Sequence, residues 1–123
     1  MAEGLLAKHF AKRIFTRSCG VRPDAEMDPF AVAVMDEAGV DISAHRPQGF
    51  DDLEELSFDL IVTLTPEAHH RALELTRTMA IDVEYWPTFD PSPAQGSREQ
   101  VLGEYRSTRD ALEARILARF AED

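Results

Sequence analysis

The sequence predicts an α/β fold built on a parallel sheet, and three observations carry that prediction. Helical and strand-like segments alternate along the chain. The run Leu60-Ile61-Val62-Thr63-Leu64 is nearly continuous in apolar, β-favouring residues, as a strand covered on both faces would be. The segment after it opens with helix-start signals, so successive strands are joined by helices and lie parallel with right-handed crossovers. With 123 residues and a hydrophobic content of 44%, the chain has the size of a single domain, expected to span 1–123.

Residues 2–12 place Leu5, Leu6, His9 and Phe10 at helical spacing, with Lys8 and Lys12 near the C-terminal end, where they suit the helix dipole. Residues 13–17 alternate Ile14 and Phe15 with polar side chains, which predicts a short strand running into the turn Ser18-Cys19-Gly20. Asp28-Pro29 reads as an N-cap followed by proline at the first helical position. Ala31, Val32, Val34, Met35 and Ala38 then form an apolar face until Gly39 stops the helix. Residues 40–50 contain Asp41, Ser43, Pro47 and Gly49, a loop composition, and residues 51–56 suit a short acidic helix.

Residues 60–64 are the expected central strand. Thr65, Pro66 and Glu67 supply N-cap, N1 proline and first-turn acid for a helix running to about Met79. Residues 81–86 form the next strand and 87–96 a loop. Ser97 and Gln100 then make a capping box for a long final helix marked by Val101, Leu102, Tyr105, Leu112, Ile116, Leu117 and Phe120.

Composition narrows the function classes. The single cysteine, Cys19, excludes an intramolecular disulfide and suits a reducing compartment. A formal net charge of -10 repels phosphate backbones, so nucleic acid is not an expected partner. No apolar run approaches the roughly 20 residues of a membrane-spanning helix. The start shows no basic stretch leading into an apolar block, so no export signal is read, no membrane partner is expected and a cytoplasmic location follows.

The stretch richest in chemistry is Trp86-Pro87-Thr88-Phe89-Asp90-Pro91, which ends a strand-like run by presenting one carboxylate on a proline-stiffened loop. Together with the opening Met1-Ala2-Glu3-Gly4-Leu5-Leu6 and with Phe58-Asp59-Leu60-Ile61-Val62, it resembles the low-molecular-weight protein tyrosine phosphatase family. The resemblance implies a three-layer fold on a four-stranded parallel sheet of order 2-1-3-4, and an aspartate-proline pair acting as general acid, here Asp90. It implies phosphomonoester or phosphotyrosine protein substrates, no cofactor and no metal. In the family, Met-Ala-Glu-Gly-Leu directly follows the nucleophile loop, Cys-x5-Arg. The chain is therefore expected to be incomplete at its N-terminus, without the first, central strand and that loop, and to be inactive as given.

Other candidates have plainer readings. Six positions after Cys19 stands Ala25 rather than arginine, so Cys19 does not open a phosphate-cradling loop and is expected to be a small structural hydrophobe. Ser18 is expected to bond neighbouring loop backbone. His69 and His70 point about 100° apart on a helix and read as structural rather than as metal ligands. His45-Arg46-Pro47 lies in a loop that borders the active site in the family, which implies a substrate-edge role for Arg46 beside the plainer reading of a loop cation. The acids Asp51, Asp52, Glu54 and Glu55 read as a solvated face.

The related arsenate reductases need further cysteines to pass a disulfide along, which Cys19 alone does not provide. The competing class is a non-catalytic binding or regulatory module on a phosphatase-like scaffold. A missing central strand would also leave strand edges open to self-association, with residues 2–18 least protected.

Overall fold

The computed structural model describes residues 1–10, 14–19, 27–45, 47–49, 58–77 and 80–121, in which four helices and two strands are formed. They are α1 (Ala2–Phe10), α2 (Pro29–Glu37), β1 (Leu60–Thr63), α3 (Pro66–Leu75), β2 (Asp82–Tyr85) and α4 (Arg98–Phe120). Internal contacts gather α1, α2 and α4 into one compact unit and β1, α3 and β2 into a second. The expected helix over 51–56 lies outside the described residues.

In the helical unit the ends of α2 are set by local chemistry. Asp28 Oδ1 accepts the Phe30 N–H at 2.9 Å, and Pro29 occupies the first turn, where its missing donor costs nothing. At the other end, Gly39 (φ 79°) takes the left-handed conformation. Its N–H bonds to Asp36 O at 2.9 Å while the Val40 N–H reaches Met35 O at 2.9 Å, which makes a Schellman closure. α4 opens with the expected capping box, Gln100 N–H to Ser97 Oγ at 3.2 Å and Ser97 N–H to Gln100 Oε1 at 2.8 Å.

Val101, Leu102, Tyr105, Thr108, Leu112 and Ile116 are the buried positions of α4, and with Leu5, Val34 and Met35 they form the core of this unit. Leu117, one of the apolar residues that mark this helix, is 41% exposed, because it stands about 100° round the helix from fully buried Ile116.

Gly4 marks a close approach of α1 to the segment after α2. A Cβ there would lie 3.0 Å from Ile42 Cγ2, 3.1 Å from Val40 Cγ1 and 3.2 Å from Met35 Cε. Gly4→Val is therefore expected to destabilise the protein by about 1–3 kcal/mol through overpacking, read as a lowered midpoint in urea unfolding.

Charged pairs tie the helices at the surface. Arg106 grips Glu37 with two hydrogen bonds of 2.9 and 2.8 Å, and Arg109 Nη1 donates to Val34 O at 2.7 Å. The Arg106 hydrogen bonds hold the Glu37 carboxyl down to about 2, from an ordinary value of 4.5. On α1, His9 Nε2 lies 3.0 Å from Glu113 Oε2, and this hydrogen bond lowers the Glu113 pKa. Both carboxylates have depressed folded-state pKa values, so what they contribute is present above the ordinary carboxylate range and lost as pH falls through the folded value. These groups are solvent-exposed and their contribution is small. The melting-temperature gap between wild type and Glu37→Gln is expected to hold from neutral pH down to the ordinary carboxylate range near 4.5 and then to shrink as pH falls toward about 2.

The predicted strand over 13–17 is not formed at Ile14–Cys19. The Ile14 N–H bonds to Phe10 O at 2.8 Å, adding a helical link after α1 instead of a ladder bond. Phe15 is 63% exposed, with the Arg17 guanidinium 4.4 Å from its ring centre. The alternation that suggested a strand survives in the side chains: Ile14, Thr16 and Ser18 are half-buried while Phe15 and Arg17 are exposed. Because Leu5 is fully buried, low protection is expected to concentrate in Ile14–Ser18 rather than across all of 2–18.

The second unit is a β1–α3–β2 crossover with parallel strands in the register Leu60↔Asp82 to Thr63↔Tyr85. The ladder continues past β2 through Trp86 N–H to Thr63 O (2.7 Å) and Thr88 N–H to Leu64 O (3.1 Å). Thr65 Oγ1 caps α3 by accepting the Ala68 N–H, and Pro66 follows as expected. α3 ends at Leu75, short of the expected Met79, where the Thr76 hydroxyl turns back onto Ala72 O at 2.8 Å. Among the described residues the sheet has two strands, so β1 is not flanked on both sides there.

Candidate functional site

Asp90 sits on the loop that leaves β2, and that loop is fixed at several points. Trp86, 5% exposed, anchors its start and donates its indole N–H to Glu84 Oε1 at 3.1 Å. The Thr88 hydroxyl returns to Trp86 O at 2.8 Å. Phe89 O accepts the hydroxyl of buried Thr108 at 3.3 Å, and Pro91 is itself buried. The Asp90 side chain projects from this frame into solvent. Its Oδ1 accepts the Ser92 N–H at 2.9 Å, an Asx turn that orients the carboxyl. Oδ2 has no hydrogen bond among the described residues, which leaves one oxygen of an oriented carboxyl able to deliver or take a proton.

Of the other residues read from sequence, Arg46 lies outside the described residues. Cys19 is half-buried. His69 is structural: its Nδ1 meets Thr63 Oγ1 at 3.0 Å and its ring stacks on Tyr85 with centroids 4.9 Å apart. His70 is exposed and pairs with Glu74 at 3.2 Å. Among the described residues, no group of three or more His, Cys, Asp and Glu side chains could hold a metal ion.

One cluster was not read from sequence. His45 Nδ1 lies 2.9 Å from Glu3 Oε2, and its Nε2 lies 3.4 Å from Ser18 Oγ. Ser18 thus meets a histidine side chain, a contact beyond the loop-backbone role expected for it. These residues come from three separate segments, so no local spacing could have revealed the set.

The sequence matches the family described as low molecular weight phosphotyrosine protein phosphatase over residues 1–122. It is 33% identical over 122 residues to an arsenate reductase from Bacillus licheniformis, covering 99% of this chain and 85% of that protein. Among solved structures, an arsenate reductase in the reduced state superposes with a TM-score of 0.76 at 24% identity, covering 98% of this chain and 85% of the other. The YwlE arginine phosphatase with a phosphorylated active-site serine gives a TM-score of 0.70 at 25% identity, covering 96% and 84% of the two chains. The α/β fold with its small parallel sheet and four helices is the fold of these neighbours. With the family matched along nearly its whole length, this chain belongs to the low molecular weight phosphotyrosine protein phosphatases.

Proposed function

We propose that this chain is a single domain, 1–123, carrying the acid half of a phosphomonoester hydrolase, with Asp90 as general acid and phosphorylated protein side chains as the substrate class. In the family reaction a cysteine thiolate attacks phosphorus and forms phosphocysteine. The departing oxygen takes a proton from the Asp90 position. Water then attacks the phosphocysteine, its proton passes to the same carboxylate, and phosphate leaves. The observation that carries this reading is the oriented Asp90 carboxyl, with one oxygen held by Ser92 N–H and the other facing solvent.

The nucleophile is what this sequence lacks. Its one cysteine, Cys19, is followed six positions on by Ala25, so no Cys-x5-Arg loop is encoded here and the chain as given does not turn over. Arg46 would border the substrate. The reaction requires no cofactor, and the setting is cytoplasmic. The arsenate reductase names of the relatives favour a redox reading, but passing a disulfide along requires more thiols than Cys19 alone.

The competing reading is a non-catalytic binding or regulatory module. In the family the loop stands directly ahead of Met-Ala-Glu-Gly-Leu, so translating the DNA in frame ahead of Met1 separates the two. A strand followed by Cys-x5-Arg is expected, whereas a stop codon would favour the binding module. β1 and β2 form a two-stranded sheet among the described residues, an arrangement that is marginal by itself. The isolated chain is therefore expected to self-associate. Size-exclusion chromatography would show a mass rising with concentration, and a strict monomer would contradict this.

A further inference from the structure

The side of β2 turned away from β1 carries main-chain groups with no bonds. The Asp82 and Trp86 N–H groups go to Asp59 O and Thr63 O, at 3.2 and 2.7 Å. Main-chain groups alternate sides along a strand, so the N–H and C=O of Val83 and Tyr85 face away from β1. Among the described residues these groups make no hydrogen bond. Asp82 is exposed on the same strand, and its carboxylate makes no ion pair among the described residues.

A second segment of the chain carries matching groups. Residues 15–17 belong to no ladder, and among the described residues the Thr16 N–H makes no hydrogen bond. Thr16 O accepts from the exposed Arg17 Nη1 at 3.0 Å, so this carbonyl is open to solvent. Phe15 and Arg17 are both exposed, with the guanidinium 4.4 Å from the ring centre. That hydrogen bond uses one of several guanidinium donors, and Arg17 makes no ion pair among the described residues.

We propose that the outer side of β2 is a docking surface for residues 15–17 of a second copy of this chain, which add there as an antiparallel strand. With Thr16 opposite Val83, the two residues exchange both main-chain bonds, Thr16 N–H to Val83 O and Val83 N–H to Thr16 O. Arg17 then stands directly opposite Asp82, and its guanidinium leaves Thr16 O for the Asp82 carboxylate. Phe15 falls opposite Glu84, whose carboxylate is turned onto the Trp86 indole. Two copies with a net charge of -10 repel each other, so this one pair of opposite charges selects the register. The strand is only four residues long, so the contact is weak and its population rises with concentration. This names the surfaces of the self-association expected of the isolated chain. It involves neither Asp90 nor a Cys-x5-Arg loop, so its failure leaves the phosphatase reading untouched.

The test is sedimentation equilibrium of the full chain over a range of concentrations, with hydrogen exchange read at single amides. Wild type should show a mass that rises with concentration, and protection of the Thr16 and Val83 amides should rise with it. Val83→Pro removes the outward N–H while fitting the outer side of an edge strand, so it should stay monomeric with a melting temperature close to that of wild type. Asp82→Arg and Arg17→Asp should each weaken association by roughly 5-fold, since each places like charges directly across the two strands. The two substitutions combined in one chain should restore it, which a contact elsewhere on the molecule would not do. This charge exchange keeps the proposal testable if Val83→Pro folds poorly. Association at wild-type strength in folded Val83→Pro, a combined variant no stronger than the single ones, or a wild-type chain that is monomeric at every concentration would overturn the proposal.

Discussion

Joined to a Cys-x5-Arg loop ahead of Met1, this chain is expected to hydrolyse aryl phosphates, and Asp90→Asn is expected to slow that reaction by roughly 10²-fold or more. The substitution is a clean probe because the Asn side-chain oxygen can still accept the Ser92 N–H, now made by Asp90 Oδ1 at 2.9 Å, while the amide cannot donate an acidic proton. The loop stays in place and only proton transfer is lost. Poor leaving groups should suffer most, since a stable phenolate departs without protonation. A series of aryl phosphates of graded leaving-group acidity, followed by kcat/KM, would read this directly, and an extended enzyme indifferent to Asp90 across the series would place the acid elsewhere.

Asp28→Ala is expected to cost about 2–5 kcal/mol of stability. The residue does two jobs: Oδ1 caps α2 through the Phe30 N–H, and Oδ2 accepts the hydroxyl of buried Tyr105 from α4. Loss of the cap accounts for about 0.5–2 kcal/mol. Loss of a charged acceptor for the Tyr105 hydroxyl accounts for about 1.5–3 kcal/mol. The two shares can be separated in a double-mutant cycle: in a Tyr105→Phe background, Asp28→Ala should cost only the capping share. Denaturant unfolding of the four proteins would check it. Equal costs in both backgrounds would show that the bond between α2 and α4 contributes nothing.

What could be read from sequence was what is decided locally. Asp28-Pro29, Thr65-Pro66 and the Ser97 to Gln100 box start helices because the capping atoms lie within three residues of the donors they satisfy. The residues at 60–63 and 82–85 pair in parallel because a helix joins them. Residues 13–17 misled because alternation shows only which side chains face inward, whereas a strand also needs a ladder partner, and the Ile14 N–H is already spent on Phe10 O. In the site, Asp90 was legible as an acid before proline on a loop after a strand. The contacts of His45 with Glu3 and Ser18 were not, since they join segments far apart in the chain.

The proposed role of Asp90 is that of general acid in a phosphatase, with no Cys-x5-Arg nucleophile loop among these 123 residues. The most direct measurement is steady-state hydrolysis of an aryl phosphate at mildly acidic pH by the purified 123-residue chain, beside its Cys19→Ser and Asp90→Asn variants. No turnover above buffer is predicted for any of the three. Turnover that survives Cys19→Ser and disappears in Asp90→Asn would contradict the account, because this chain would then supply a nucleophile of its own.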